Sequence, residues 1–239
     1  SFYHKICGWA DPTRDYLVSK LLEGCRRDRG ATDTRLPMTL PLLLHLLTVL
    51  PCLCTSQFEV LLFKAVMLSA FFGFMRIGEF AAASRSHLQE SLLLLPDVHF
   101  CDPGTTSASV LFSLHNTKNN KARPPQQIHL VRSGDQFACP VRALSAFSAV
   151  RPTTQGSFFC HFDGSPLTQF QFNAMLRRVL IFAGLGDAHI TAHSFRIGAA
   201  TAAAADGFPV EVIKSMGRWR SDAVLGYIRP VVHGGFPST

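Results

Sequence analysis

The chain has 239 residues, enough for one large domain or for a domain with a fragment of a second. A hydrophobic fraction of 47% beside a charged fraction of 16% excludes a largely disordered chain. Lys and Arg outnumber Asp and Glu by 23 to 16, a formal charge of +7, which favours a polyanionic partner such as nucleic acid.

Seven cysteines are scattered along the chain, and the close pair Cys52 and Cys54 has no second pair to complete a zinc site. A reducing, intracellular compartment is expected. His189 and His193 stand four apart, but Ile190 takes the place where a helical HExxH site has its Glu. No metal and no other cofactor is therefore expected. The most apolar stretch, Ala65–Met75, is too short to cross a bilayer and reads as a buried helix, so no membrane partner is expected. With neither an initiator Met nor a signal-peptide layout, the sequence is expected to be cut from a longer polypeptide.

In chain order, Leu17, Val18, Leu21 and Leu22 recur at helical spacing within Asp15–Arg27, and Gly30 stops that helix. Arg29–Met38 is polar and reads as a linker. A helix with Pro41 in its first turn is expected from Thr39 to Leu50–Pro51, and another from Ser56 to Phe80 or slightly beyond. Strands are expected over Leu93–Phe100, Ser107–Leu114 and Gln127–Val131, the last two joined by the polar segment Asn116–Pro125. Helix returns after Cys139-Pro140, interrupted by a short hairpin over Phe158–Leu167 turning at Asp163-Gly164. Beyond Thr168 the pattern is helix and turn. Thr191 or Ser194 caps a helix through the alanine-rich Ile197–Ala205 that ends at Gly207, Pro209 opens another that ends near Gly217, and Ser221-Asp222 caps a final short helix broken by Pro230.

Three motifs carry chemistry. His193-Ser-Phe-Arg196 places an imidazole and a guanidinium one turn apart near a helix N-terminus, a pairing suited to phosphate. Taken alone, it reads first as a capping or packing histidine and a surface ion pair. Met216-Gly217-Arg218-Trp219 is followed eight residues after its Trp by Tyr227-Ile228-Arg229. A phenol attacks phosphorus when cationic donors take up charge on the phosphoryl oxygens, although a lone Tyr on an amphipathic helix is also an ordinary core residue. Phe74-Met75-Arg76-Ile77-Gly78-Glu79-Phe80 ends an apolar run with an Arg and a carboxylate three residues on, either a structural pair or part of a site.

Arg76 with Glu79, a lysine between two strands, then HxxR, Gly-x-Trp and a Tyr, in this order, resemble the tyrosine recombinase family from about Thr39 to Tyr227. The block from HSFRIGAAT through GRW to YIR is the most specific part. The resemblance implies Arg76 and Arg196 as phosphate-clamping arginines, with His193 and Trp219 beside them and Tyr227 as nucleophile. It implies Lys118 as the general acid, with Lys121 as its competitor. Trp219 stands one residue closer to Tyr227 than in the best-known members, whereas Arg218 would keep their spacing; Trp219 is retained because its distance from HxxR fits the Trp-bearing members. The wording is similar to recombinases of eukaryotic mobile elements of Crypton and DIRS or Ngaro type, which implies a nuclear location in a host cell.

The fold so implied is α+β and mainly helical, the tyrosine recombinase catalytic domain with a small antiparallel sheet and hairpin. Residues 1–33 would be the end of a helical core-binding domain with its linker, and residues 34–239 the catalytic domain. The implied activity is metal-free cleavage and rejoining of double-stranded DNA through a 3′-phosphotyrosyl intermediate, by dimers or tetramers on DNA. Lys121, Arg123, Arg177, Arg178, Lys214, Arg218, Arg220 and Arg229 are candidates for contacts to the DNA backbone. Two rival readings stand beside this one: a non-catalytic DNA-binding or interaction module descended from such an enzyme, and a type IB topoisomerase-like enzyme.

Overall fold

A computed structural model of the chain describes residues 4, 6–9, 15–18, 20–21, 33–115 and 124–229. Packing divides the chain into two compact units, Ser1–Thr34 and Arg35–Thr239. In the first, residues 16–18, 20 and 21 of the expected Asp15–Arg27 helix are helical, and the remainder lies outside the described residues. The second unit begins without regular structure and enters helix α1 (Leu40–Leu53), where the Thr39 hydroxyl accepts the N–H of Leu42 at 3.3 Å.

Helix α2 (Gln57–Phe72) starts at Ser56, whose hydroxyl accepts from Glu59 N–H while the Glu59 carboxylate accepts from Thr55 N–H. From residue 65 to 71 every side chain is buried, so this helix shows no polar face and runs through the middle of the unit, against α1 and two later helices. The sequence pattern places one continuous helix as far as Phe80; the structure breaks it. Gly73 ends α2, Phe74 adopts a positive φ of 48°, and a four-residue helix α3 (Ile77–Phe80) resumes after Arg76. A Cβ on Gly73 would stand 2.7 Å from the carbonyl oxygen of Ser69, so the turn needs glycine there. The apolar run hides this break because no proline or polar cluster marks it.

Three antiparallel strands follow in order: β1 (Val98–Cys101), β2 (Ser109–Leu114) and β3 (Gln126–Val131). Val110, Phe112 and Leu114 of β2 are buried with Ile128 and Leu130 of β3, the alternation of a sheet with one face on the core. The first strand starts later than Leu93, because Leu95–Asp97 forms a 3-10 turn around Pro96. The β2–β3 register, Ser109 opposite Val131 through Leu114 opposite Gln126, fixes the hairpin.

Helix α4 (Pro140–Val150) packs against α2, and Arg151 then holds the following loop. Its buried guanidinium donates to the carbonyls of Phe158, Pro152, Thr154 and Ser157. The Asp163-Gly164 turn forms as expected, with His161 N–H donating to Ser165 O and Cys160 bridging Pro166. Helix α5 (Gln169–Phe182) opens with a Thr168–Gln171 capping box, and α6 (Ala192–Ala205) with Thr191 as its N-cap. Helix α7 (Val210–Met216) follows Pro209, and a 3-10 turn, Asp222–Gly226, is capped by Ser221. Phe80, Phe172 and Phe195 tie α3, α5 and α6 together through ring centroids 4.8 and 5.8 Å apart. The core thereby reaches the residues that carry the chemical motifs.

Candidate active site

Helix α6 is pressed onto the backbone at Met38. A Cβ on Gly198 would stand 1.8 Å from the Met38 carbonyl oxygen, and Met38 N–H donates to Ser194 O at 2.9 Å. That approach sets the HxxR pair in place. Arg196 is 1% exposed, sealed into the core with its charge. Its Nη1 donates to the Phe74 carbonyl and its Nη2 to Gly217 O at 2.9 Å, while its carbon centre lies 4.4 Å from the Trp219 ring centroid and 5.9 Å from that of Tyr227.

Arg76 caps α3 and meets Glu79 twice. Its backbone N–H donates to Glu79 Oε2 and its Nη1 to Oε1, both at 2.9 Å, with about a quarter of its side chain exposed. Glu79 is 2% exposed and takes a third bond from Arg218 Nη2 at 2.7 Å. Arg218, expected on the DNA-facing surface, is instead buried. A positive φ of 58° turns its side chain inward, where Nη1 also donates to Gly73 O at 3.0 Å and Nη2 to Phe74 O at 3.3 Å. The broken turn between α2 and α3 thus supplies the two carbonyls on which two guanidinium groups rest.

Among the described residues, Arg76 and Arg218 bond the one carboxylate of Glu79, and Arg196 lies near enough to feel its charge, so the cluster carries an excess of positive charge inside the fold. Burial first, and then Arg76 and Arg218, push the Arg196 guanidinium well below the usual arginine range. Burial likewise lowers that of Arg218, opposed by Glu79. Such an excess of positive charge favours an anion beside it.

Tyr227 sits at the rim, half-buried, at the end of the last 3-10 turn. Its ring centroid is 5.0 Å from that of His193 and 4.9 Å from that of Trp219. The Trp219 ring stands edge-on to Phe74, 6.1 Å away, and its buried Nε1–H has no hydrogen-bond partner among the described residues, as is true of the Nε of Arg196 and of Arg218. A Cβ on Gly217 would fall 1.6 Å from the Trp219 ring, so only glycine lets the indole fold back there. Thr201 on α6 fastens the tyrosine's backbone, donating to Tyr227 O at 3.3 Å and accepting Arg229 N–H at 3.1 Å.

The structure therefore brings together Arg76, Glu79, His193, Arg196, Trp219 and Tyr227. Lys118, Lys121 and Arg123 fall in the segment between β2 and β3 that lies outside the described residues. Arg177 and Arg178 are exposed on α5 and lend a donor each to Gly186 O and Leu53 O. Lys214 pairs with Asp222 at 3.0 Å and Glu211 at 3.7 Å, and Arg220 is exposed. Sequence reasoning missed the inward turn of Arg218 and the tether at Thr201. The first was legible only as a spacing conflict between Arg218 and Trp219, and the second had no signal.

A charged, enclosed cluster beside a tyrosine presents a set of donors that suits an anion. The chain belongs to the phage integrase family, whose profile matches residues 61–228. No curated protein matches it. Among solved structures it is similar to a XerH site-specific recombinase in a post-cleavage complex with palindromic difH substrate, at 19% identity and TM-score 0.59, covering 82% of this chain and 50% of that one. A XerA recombinase matches at 14% identity and TM-score 0.59 over 92% of this chain and 72% of that one. The Tn1549 transposon integrase in complex with circular intermediate DNA matches at 14% and 0.53 over 97% and 72%. The fold is that of the tyrosine recombinase catalytic domain. The chain spans half the length of the XerH structure.

Proposed function

We propose that this chain cuts and rejoins double-stranded DNA at specific sites through a covalent link to Tyr227. The carrying observation is the packing of the Tyr227 ring against His193, Trp219 and Arg196 at the edge of a cluster with too few carboxylates for its arginines. The Tyr227 oxygen attacks the scissile phosphorus and passes its proton to His193. The bond to the 5′-oxygen breaks, leaving a 3′-phosphotyrosyl link and a free 5′-hydroxyl protonated by Lys118, or by Lys121 in its place. Charge on the non-bridging oxygens is taken up by Arg76, Arg196, His193 and the Trp219 indole N–H, the electrostatic role that magnesium fills in other phosphoryl transfers. A second 5′-hydroxyl reverses the step without ATP.

Lys121, Arg123, Arg177, Arg178 and Arg220 would hold the duplex by its phosphates, and dimers or tetramers would form on DNA. The HSFRIGAAT, GRW and YIR wording supports a mobile-element recombinase of Crypton or DIRS type acting in a nucleus. The test is a nicked suicide substrate and a search for a denaturation-resistant protein–DNA adduct. The expected outcome is an adduct that Tyr227→Phe abolishes. Intact DNA binding with no adduct on any substrate would turn the reading toward a non-catalytic module, and relaxation of supercoiled DNA by the isolated chain toward a topoisomerase.

A further inference from the structure

We infer that Arg218 is a positioning residue of this site, acting through Glu79 and the Gly73–Phe74 turn rather than by touching the DNA phosphate; the inference rests on the reading of the cluster as the strand-cutting centre. Three features carry it. The Arg218 side chain, 6% exposed, is ion-paired with Glu79 at 2.7 Å, whereas the still more enclosed Arg196 forms no ion pair among the described residues. Its donors are directed to Glu79 Oε2, Gly73 O and Phe74 O. Its backbone is held in the left-handed region at φ 58°, which a non-glycine residue adopts at a cost and here turns the guanidinium beneath the site.

Glu79 has two opposed effects. Its Oε1 fixes the Arg76 guanidinium, and its charge opposes the attraction of that guanidinium for an anion. Arg218 removes the second effect without the first: it occupies the Glu79 oxygen that faces away from the Arg76 guanidinium bond and compensates the carboxylate from inside the fold. It also shares the Phe74 carbonyl with Arg196, so one side chain braces Arg76 through Glu79 and Arg196 through the turn. Removing it should misplace both phosphate-facing arginines and lower the local field.

The experiment is a double-mutant cycle on the whole chain with Arg218→Met, Glu79→Gln and the pair, reading two quantities: the single-turnover rate of adduct formation on a nicked substrate, and duplex affinity by fluorescence anisotropy. The double variant removes a buried cation and its counter-charge together, so it keeps the fold even where Arg218→Met alone leaves Glu79 short of a partner. Folding of each variant is followed by thermal melting. Acting through Glu79, Arg218→Met should slow adduct formation by at least about tenfold, and the double variant should be no slower than the worse single. Arg218→Lys, which keeps the charge but loses the fork, should recover part of the rate.

Losses that multiply in the double variant, or a full rate in folded Arg218→Met, would overturn the inference. A wild-type chain that forms no adduct would instead sink the recombinase reading, and the affinity cycle would then decide the role of Arg218: coupled losses support it, and independent losses refute it.

Discussion

Arg196 is among the largest fully buried side chains of the protein, and it is charged. Its burial, and then its position near Arg76 and Arg218, make the folded chain hold that proton less tightly than the unfolded chain does. The folded state thus binds fewer protons in the alkaline range, so the charged form opposes folding at neutral pH, and this contribution to stability grows as pH rises through the lowered value toward the unfolded one. A bound dianion reverses the shift. Sulfate is therefore expected to raise the melting temperature at about pH 7, by roughly 2.7 kcal/mol of stability at a hundred times its dissociation constant, and to do so less under alkaline conditions. Calorimetry with and without sulfate at both pH values checks this, and Arg196→Met should remove most of the sulfate effect. At this scale the sequence was readable where a motif fixes direction: HxxR on one helix face puts His193 and Arg196 where they are found. It was unreadable at Arg218, because side-chain direction there depends on a left-handed φ that local pattern does not encode.

Secondary-structure elements were legible where caps and punctuation mark them. Thr39, Thr168, Thr191 and Ser221 stand at observed N-caps, and Gly207 and Gly217 close helices as their freedom from a Cβ allows. The break at Gly73–Met75 was not legible, since an apolar run from Ala65 through Met75 reads as one helix whether or not it turns. That break nevertheless matters most, because it exposes two carbonyls to the site. The last 3-10 turn is short and is secured by few bonds, chief among them the Thr201 hydroxyl to Tyr227 O and Arg229 N–H. Thr201→Val keeps the shape and deletes both. It is expected to cost about 1–2 kcal/mol of stability and to slow adduct formation more than it weakens DNA binding, which rate and anisotropy measurements on the same protein separate.

For the whole molecule, a formal charge of +7 distributed over a low charged fraction means that a few exposed cations would dominate the proposed association with DNA. Arg177 and Arg178 are exposed on one helix, away from the buried cluster's hydrogen bonds. Arg177→Glu and Arg178→Glu are expected to weaken binding to every duplex alike and to reduce the slope of log affinity against log salt by about one each, with the fold unchanged. An unchanged slope in a titration from low to moderate salt would remove these residues from the DNA-facing surface. Core packing, unlike these surface contacts, was readable in outline, since Leu, Phe and Ala at helical or alternating spacing account for most of the buried residues.

Enclosing the Arg196 and Arg218 guanidinium groups with a carboxylate also sets the direction in which such a chain would drift under artificial selection. Apolar side chains of matching volume at positions 79, 196 and 218 together would fill the same space without desolvating any charge, and replacements of this kind often leave proteins as stable or more so. A library screened for heat resistance alone would be free to lose the polar centre while keeping the shape of the domain. A screen meant to yield a tougher DNA-joining enzyme must therefore score covalent capture of DNA in every round.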